Sequence, residues 1–481
     1  MAQQRSVNLG MVLGAGLVLA LLGAGPALAD VTTGYDKGFF IKSDAFEAHF
    51  GTRMQLQYSG TRPDTFMFDS LLGHEQDQKV DNELNIRRFK FFGIGTAFDP
   101  SIKWKFQFDM ERFKPGGGQA GNIRLEEAFV DITSRPWTQI RVGQQKVPFG
   151  YEKMISSGKF NLVDRSIVHS FFGVDQEPAV DLFGQSFGKK FRYDVAVSTG
   201  ISDNHGFSTR NDVAADGGSD FRYMGRVTWE PLDPYVFEQG AVSSPERPQL
   251  SLQLAGMLNR DTIPNDTDVF MPKGAILPFA PDVLGATSST FPAATSTLLT
   301  SWSTVSNNRK SYSREELEAV AAFKYRRYSV EAQAIVGQVD PELKYLKAKS
   351  GVLDDLTFDN TGLRLQAGVF VIPTKIEIVA RYALVTREAT AQLGGNPDVR
   401  EEIDLTELRA GINWYFSKHD WKWQTDIGQL ETEWKLNGTR VDVPVRSAFV
   451  GPPVGLGFDD KVIQNNPRKD WVIQSQFQLQ F

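Results

Sequence analysis

The sequence predicts an all-β fold, a transmembrane antiparallel β-barrel of about sixteen strands with short periplasmic turns and long extracellular loops. Three observations carry that expectation. The first is strict alternation, clearest in the last eleven residues. There Trp471, Ile473, Phe477, Leu479 and Phe481 share one phase, and Val472, Gln474, Gln476, Gln478 and Gln480 share the other. Side chains alternate across a strand, so one face is apolar and its reverse is amide-rich, as lipid outside and water inside require. The second is composition: 35 Phe, 12 Tyr, 9 Trp and 43 Gly in a chain that is only 41% hydrophobic. The third is a rhythm of short and long links between the alternating segments.

The elements follow in order. Arg5, the apolar run Met11–Leu22 and the small-x-small site Ala27-Leu28-Ala29 make residues 1–29 a secretory signal peptide, removed before residues 30–481 form a single barrel domain. Strands are expected at Asp44–Tyr58, Asn82–Phe98, Ile102–Met110, Asn122–Thr133, Trp137–Lys146, Gln176–Phe187, Phe191–Ile201 and Phe221–Trp229. They continue at Gln249–Asn259, Glu316–Tyr325, Tyr328–Val339, Thr361–Ile372, Lys375–Val385, Leu405–Phe416 and Trp421–Glu431, ending in the terminal segment. The stretch Ile102–Met110 alternates most cleanly, with Ile102, Trp104, Phe106, Phe108 and Met110 against Lys103, Lys105, Gln107 and Asp109.

Short links are read at Asp99–Ser101, Arg326–Arg327, Pro373–Thr374 and Ser417–Asp420, between long polar links such as Ser59–Asp81, Val147–Asp175, Asp261–Ser313 and Thr432–Lys469. Glu230–Pro248 breaks the rhythm, being long where a short turn is due. No segment before the first strand is large enough to plug the barrel, so the expectation is an open lumen.

Charge and motif content exclude several classes. Acidic residues outnumber basic ones, 58 to 52, which argues against a nucleic-acid partner. There is no cysteine, hence no disulfide framework or thiolate metal site. The five histidines lack metal-ligand spacing, and Gly116-Gly-Gly118 lacks the Lys-Ser/Thr of a phosphate loop. No catalytic residue, metal or cofactor is expected.

The stretch from Asn82 to Gly188 has a specific look. It runs through Asn85-Ile-Arg-Arg-Phe-Lys90, Trp104-Lys-Phe-Gln-Phe-Asp109, Leu125-Glu-Glu-Ala-Phe-Val-Asp131 and Arg141-Val-Gly-Gln-Gln-Lys-Val-Pro-Phe-Gly-Tyr-Glu152 to Val163-Asp-Arg-Ser166. With Gly34–Ile41 and Gly411–Phe416, it resembles the phosphate-selective porin O/P family. The resemblance implies a homotrimeric sixteen-stranded barrel in the bacterial outer-membrane lipid that passes small anions, with members selective for phosphate or polyphosphate.

On that footing Val147–Asp175 is expected to fold inward as a constriction loop, bringing cations to the ion path. The candidate constriction residues are Arg88, Lys103, Lys105, Lys146, Lys153 and Arg165. Further basic candidates on the lumen phase are Arg53, Arg192, Arg222, Arg226, Lys324, Arg364, Arg381 and Arg409. Arginine suits phosphate because its planar fork donates two hydrogen bonds to adjacent oxygens. Carboxylates on the same faces, among them Asp109, Asp194, Glu331, Glu377, Glu407 and Asp426, leave a second reading open, in which the charges pair and stiffen the wall. They also leave open a general or weakly cation-preferring diffusion pore. A barrel enzyme or surface adhesin, with 261–313 as its working part, is the expectation of a different class.

Overall fold

A computed structural model of the chain describes residues 31–36, 38–62, 65–69, 74–77, 81–110, 123–186, 188–198, 221–263, 310–341, 353–393, 399–440, 443–446, 461–464 and 467–481. The signal peptide and most of the segment 261–313 read from the sequence lie outside these residues.

Sixteen antiparallel strands form a closed ring. The first eight are β1 (Phe46–Arg62), β2 (Asp81–Ala97), β3 (Asp99–Met110), β4 (Ile123–Arg135), β5 (Thr138–Gln145), β6 (Glu177–Ser186), β7 (Phe191–Ser198) and β8 (Arg222–Trp229). The second eight are β9 (Gln249–Ile263), β10 (Lys310–Tyr325), β11 (Tyr328–Pro341), β12 (Leu353–Ile372), β13 (Ile376–Leu393), β14 (Val399–Ser417), β15 (Trp421–Leu436) and β16 (Arg468–Gln480). Each pairs with its sequence neighbours, and β16 returns to β1 in the register Trp471↔Arg62 to Gln480↔Arg53. Phe481 completes the seam: its N–H donates to the Thr52 carbonyl at 3.0 Å, and Thr52 N–H donates back at 2.7 Å. Below that point a hairpin of Thr32–Tyr35 and Phe39–Lys42 continues the sheet along the start of β1.

Burial is inverted relative to a water-soluble protein. On β12, Arg364 is 0% exposed while its neighbours Leu363 and Leu365 are 47% and 50% exposed. The same contrast sets buried Glu377, Arg381, Glu407, Arg409 and Asp426 against exposed Ile378, Tyr382, Leu408, Ile412 and Ile427. An apolar outer band over a charged interior is the arrangement lipid imposes on a barrel.

The tight turns cluster at one end. Phe98, Arg326, Thr374 and Lys418 carry φ of 66°, 52°, 59° and 45°, the left-handed geometry by which short hairpin turns match the strand twist. The first of these falls at Phe98, and Asp99 to Ser101 already belong to β3. At the opposite end several strands run beyond the segments read from alternation, β12 beginning at Leu353 and β14 at Val399. Above the bilayer both faces of a strand meet water, so the period-two signal fades while the ladder continues. Short strands at Thr65–Asp69, His74–Asp77, Val443–Arg446 and Lys461–Gln464 form a separate four-stranded sheet from two links read as loops.

The lumen is narrowed from within, as the inward loop expected at Val147–Asp175 implies. Residues 146–176 fold inward, carrying α1 (Tyr151–Met154), a 3-10 turn (Ser157–Lys159) and α2 (Ile167–Phe172). Val147, Phe149, Val168, Phe171, Phe172 and Val174 pack on lumen-facing Ala196, Met224, Ala255, Met257, Ile335, Ala383 and Val385. These apolar residues occupy the inner phase because they meet the loop, not water. The long link after β8 also turns inward. Tyr235 and partly buried Phe237 pack with Tyr151, Ile155 and Phe160, while Ala241 and Val242 pack on Phe370 and Tyr415. Two inserted segments thus meet inside the barrel, where Gln239 N–H donates to the Lys159 carbonyl at 3.0 Å.

Candidate functional site

A backbone taken into the lumen must have its hydrogen bonds satisfied there. Side chains of β10 to β16 do this for the inward loop. Glu318 accepts from Tyr151 N–H at 2.8 Å, Asp426 from Val163 N–H at 2.8 Å and Glu407 from Ile167 N–H at 3.0 Å. Lys422 donates to the Phe160 carbonyl at 2.6 Å, Asn413 to Asn161 at 2.7 Å, and Arg381 to Asp164 and Arg165 at 3.0 and 3.2 Å. Each such bond contributes about 1 kcal/mol net, and leaving its buried partner unmet costs more.

On the other side, between the loop and β1 to β4, a cavity of about 460 Å³ remains. Nine Lys or Arg side chains line it: Arg53, Arg87, Arg88, Lys90, Lys105, Arg124, Lys146, Lys153 and Arg165. They face four carboxylates, Asp109, Glu126, Glu127 and Asp175, with Ser156 and Ser157 at the loop edge.

Every one of these carboxylates has a cation. Lys90 pairs with Glu126 and, at 3.4 Å, with Asp109; Lys105 pairs with Glu127, Lys153 with Asp175, and Arg124 with Glu126 at 3.0 Å. Arg87 and Arg88 lie 3.9 and 3.7 Å from Asp164. Burial alone would raise the Asp164 carboxyl, but those two guanidinium groups hold it below the usual range. Among the described residues, Arg53, Lys146 and Arg165 have no carboxylate within pairing distance. Arg53 instead donates to Ser156 Oγ at 3.0 Å and Ser157 Oγ at 3.2 Å, and Lys146 to the Met154 carbonyl at 3.1 Å. Arg165 bonds the Glu152 carbonyl through Nε at 3.2 Å, with its guanidinium over the Phe160 ring at 4.6 Å. Burial pushes the Lys146 ammonium well below its usual value, and neighbouring Lys105, Arg165 and Lys153 push it further down.

Two β-bulges build this surface. Gln55 pairs with Arg88 but Leu56 pairs with Ile86, so Arg87 is the extra residue. Across β3 and β4, Gln107 pairs with Glu127 and Phe108 with Leu125, so Glu126 is extra. A bulge breaks the alternation, and both doublets, Arg87-Arg88 and Glu126-Glu127, consequently line the lumen.

The cations expected from the sequence divide into groups. Arg88, Lys105, Lys146, Lys153, Arg165 and Arg53 meet at the cavity. Lys103 does not: it shares the face of Lys105 but is exposed and outside the lining. Arg364, Arg381 and Arg409 are buried under the loop, bonded to Glu331 at 2.7 Å, Glu407 at 2.6 Å and Asp426 at 2.6 Å. Lys324 holds the second inserted segment, donating to the carbonyls of Val236 at 2.7 Å and Glu238 at 2.5 Å. Arg192 pairs with Glu230, Arg222 with Glu177 and Arg226 with Asp194. Arg87, Lys90 and Arg124 escaped the sequence reading. Lys90 shares the phase of Arg88, and for Arg87 the signal was the charge doublet itself.

Residues 62–258 match the family described as phosphate-selective porin O and P. No curated protein matches the chain in sequence. Among solved structures, the chain is similar to an anion-selective porin from Comamonas acidovorans, at 12% identity and TM-score 0.48, covering 91% of this chain and 100% of that one. It is also similar to in-vitro folded OmpT of Vibrio cholerae in its trimer form (10% identity, TM-score 0.48, 90% and 100% covered). A third is the outer-membrane channel DcaP of Acinetobacter baumannii (9% identity, TM-score 0.44, 90% and 97% covered). With that match over residues 62–258, a closed sixteen-strand barrel and an inward loop, the chain is an outer-membrane porin that resembles the phosphate-selective porin O and P family.

Proposed function

We propose that the chain is a passive channel preferring small anions, phosphate or polyphosphate among them, and that ions pass through the cavity between β1–β4 and the inward loop. The observation that carries this reading is the imbalance of the lining. All four carboxylates are already neutralised by lysine or arginine, whereas Arg53, Lys146 and Arg165 are not, so the uncompensated field is positive. Low-dielectric walls focus that field on a passing ion. Arginine forks suit the adjacent oxygens of phosphate, and the paired lysines around them keep binding weak enough for release.

The net charge of −6 and the lumenal carboxylates favour the second reading, a general or weakly cation-preferring diffusion pore. Reversal potentials of single channels in a salt gradient separate the two. The expected result is an anion-signed potential and a chloride current blocked by added inorganic phosphate; a cation-signed potential overturns the proposal. Absence of conductance would point to a barrel enzyme or an adhesin. A homotrimer is part of the proposal by family resemblance, expected as a heat-modifiable three-chain oligomer in mild detergent.

A further inference from the structure

We infer that Gly158 determines the selectivity of the cavity by leaving room for Arg53, an inference that rests on the anion-channel reading above. Arg53 rises from β1 and is 6% exposed. Its two terminal nitrogens are held by the hydroxyls of Ser156 and Ser157, and its Nε has no partner. The next residue, Gly158, lies against the same guanidinium. A Cβ added there would stand 3.1 Å from both Arg53 Cδ and Cζ, and closer still to Nη1.

Backbone conformation does not require this glycine, since Gly158 is not among the residues with left-handed φ. What requires it is the space that Arg53 fills. The backbone beside it is tied to the barrel wall: Gln478 donates to the Gly158 carbonyl at 3.0 Å and Gln55 to the Ser157 carbonyl at 3.3 Å. An added methyl group therefore meets a fixed loop on one side and the tip of a flexible side chain on the other. The guanidinium yields first. It leaves the two serines, and the unpaired cation loses its fixed position in the cavity, where its pull on an anion depends on distance.

Gly158→Ala, Arg53→Gln and the double variant, refolded as full-length channels, test this through reversal potential and phosphate block of chloride current. Gly158→Ala is expected to shift both in the direction of Arg53→Gln and by at least half as much. In the Arg53→Gln background it is expected to add nothing, because the two substitutions act on one group. Wild-type values for Gly158→Ala, additive effects, or a variant that no longer forms a heat-modifiable barrel each overturn the inference. An indifferent Gly158→Ala in a channel that is itself anion-selective overturns this step alone. A wild-type channel without anion preference removes the reading beneath it.

Discussion

On the β1–β4 side of the lumen, arginines and lysines face an open cavity; on the β10–β16 side, residues of the same types lie sealed beneath the loop. Arg53 bonds only neutral groups. Arg409, by contrast, meets Glu407 at 2.8 Å, Asp426 at 2.6 Å and Gln474 at 2.6 Å. The side-chain chemistry is shared, and what differs is what the inward loop has brought against it. A lumenal cation paired with carboxylates holds the loop, whereas one that lines the cavity without a carboxylate partner can act on an ion. Counting basic residues on strand faces cannot make that distinction.

The comparison breaks most visibly if an anchor is removed. Arg381→Met leaves Glu407 short of one cation and frees two loop carbonyls. Breaking a buried pair by removing one partner costs about 3–5 kcal/mol. The expected outcome is a lower temperature of heat modification together with a larger, less selective conductance. An unchanged channel would mean that the loop is held elsewhere.

A smaller effect is expected at the cavity. Lys105→Glu reverses a charge in the lining, and an anion about 8 Å away gains about 2 kcal/mol from such a cation at an effective dielectric of 20. We expect anion preference to fall about tenfold at moderate salt, screening reducing the full difference. Lys103→Glu, two residues along the same face but exposed and outside the cavity, is expected to change it by less than about twofold. Equal shifts at the two positions would place the filter outside this cavity.

The smallest effect is a dependence on pH. Because the Lys146 ammonium is held below its usual value, its charge is lost on raising pH before that of an exposed lysine. Loss of a cation lowers the attraction for anions, so anion preference should decline as the medium becomes alkaline. Reversal potentials across a pH series check this, and Lys146→Arg, which keeps its charge, should flatten the decline.

Much of this architecture was legible in the sequence. Sixteen strands were visible because one face of each meets lipid, and the final strand was clearest because its inner phase is mostly glutamine. The inward loop came from family resemblance. Three features were hidden for physical reasons. The bulges at Arg87 and Glu126 break period two, so a strict phase assigns one member of each doublet to the wrong face. The inner-phase residues Ala255, Met257 and Ala383 look unremarkable until the loop they receive is known. The link after β8 carries apolar Tyr235, Val236 and Phe237, but nothing local says that their partners lie on a loop far earlier in the chain.

The anchoring of the inward loop also orders events in time. Its hydrogen bonds reach residues far along the chain: Val163 to Asp426, Asn161 to Asn413, Gly158 to Gln478. Contacts of such sequence separation form late, because the intervening chain must first surrender its freedom. Residues 146–176 therefore wait, without most of their acceptors and donors, until the strands that supply them have joined the wall. The seam that closes the pore, Gln480 against Arg53, spans a longer stretch of chain still, so closing the pore and docking the loop draw on the same last strands.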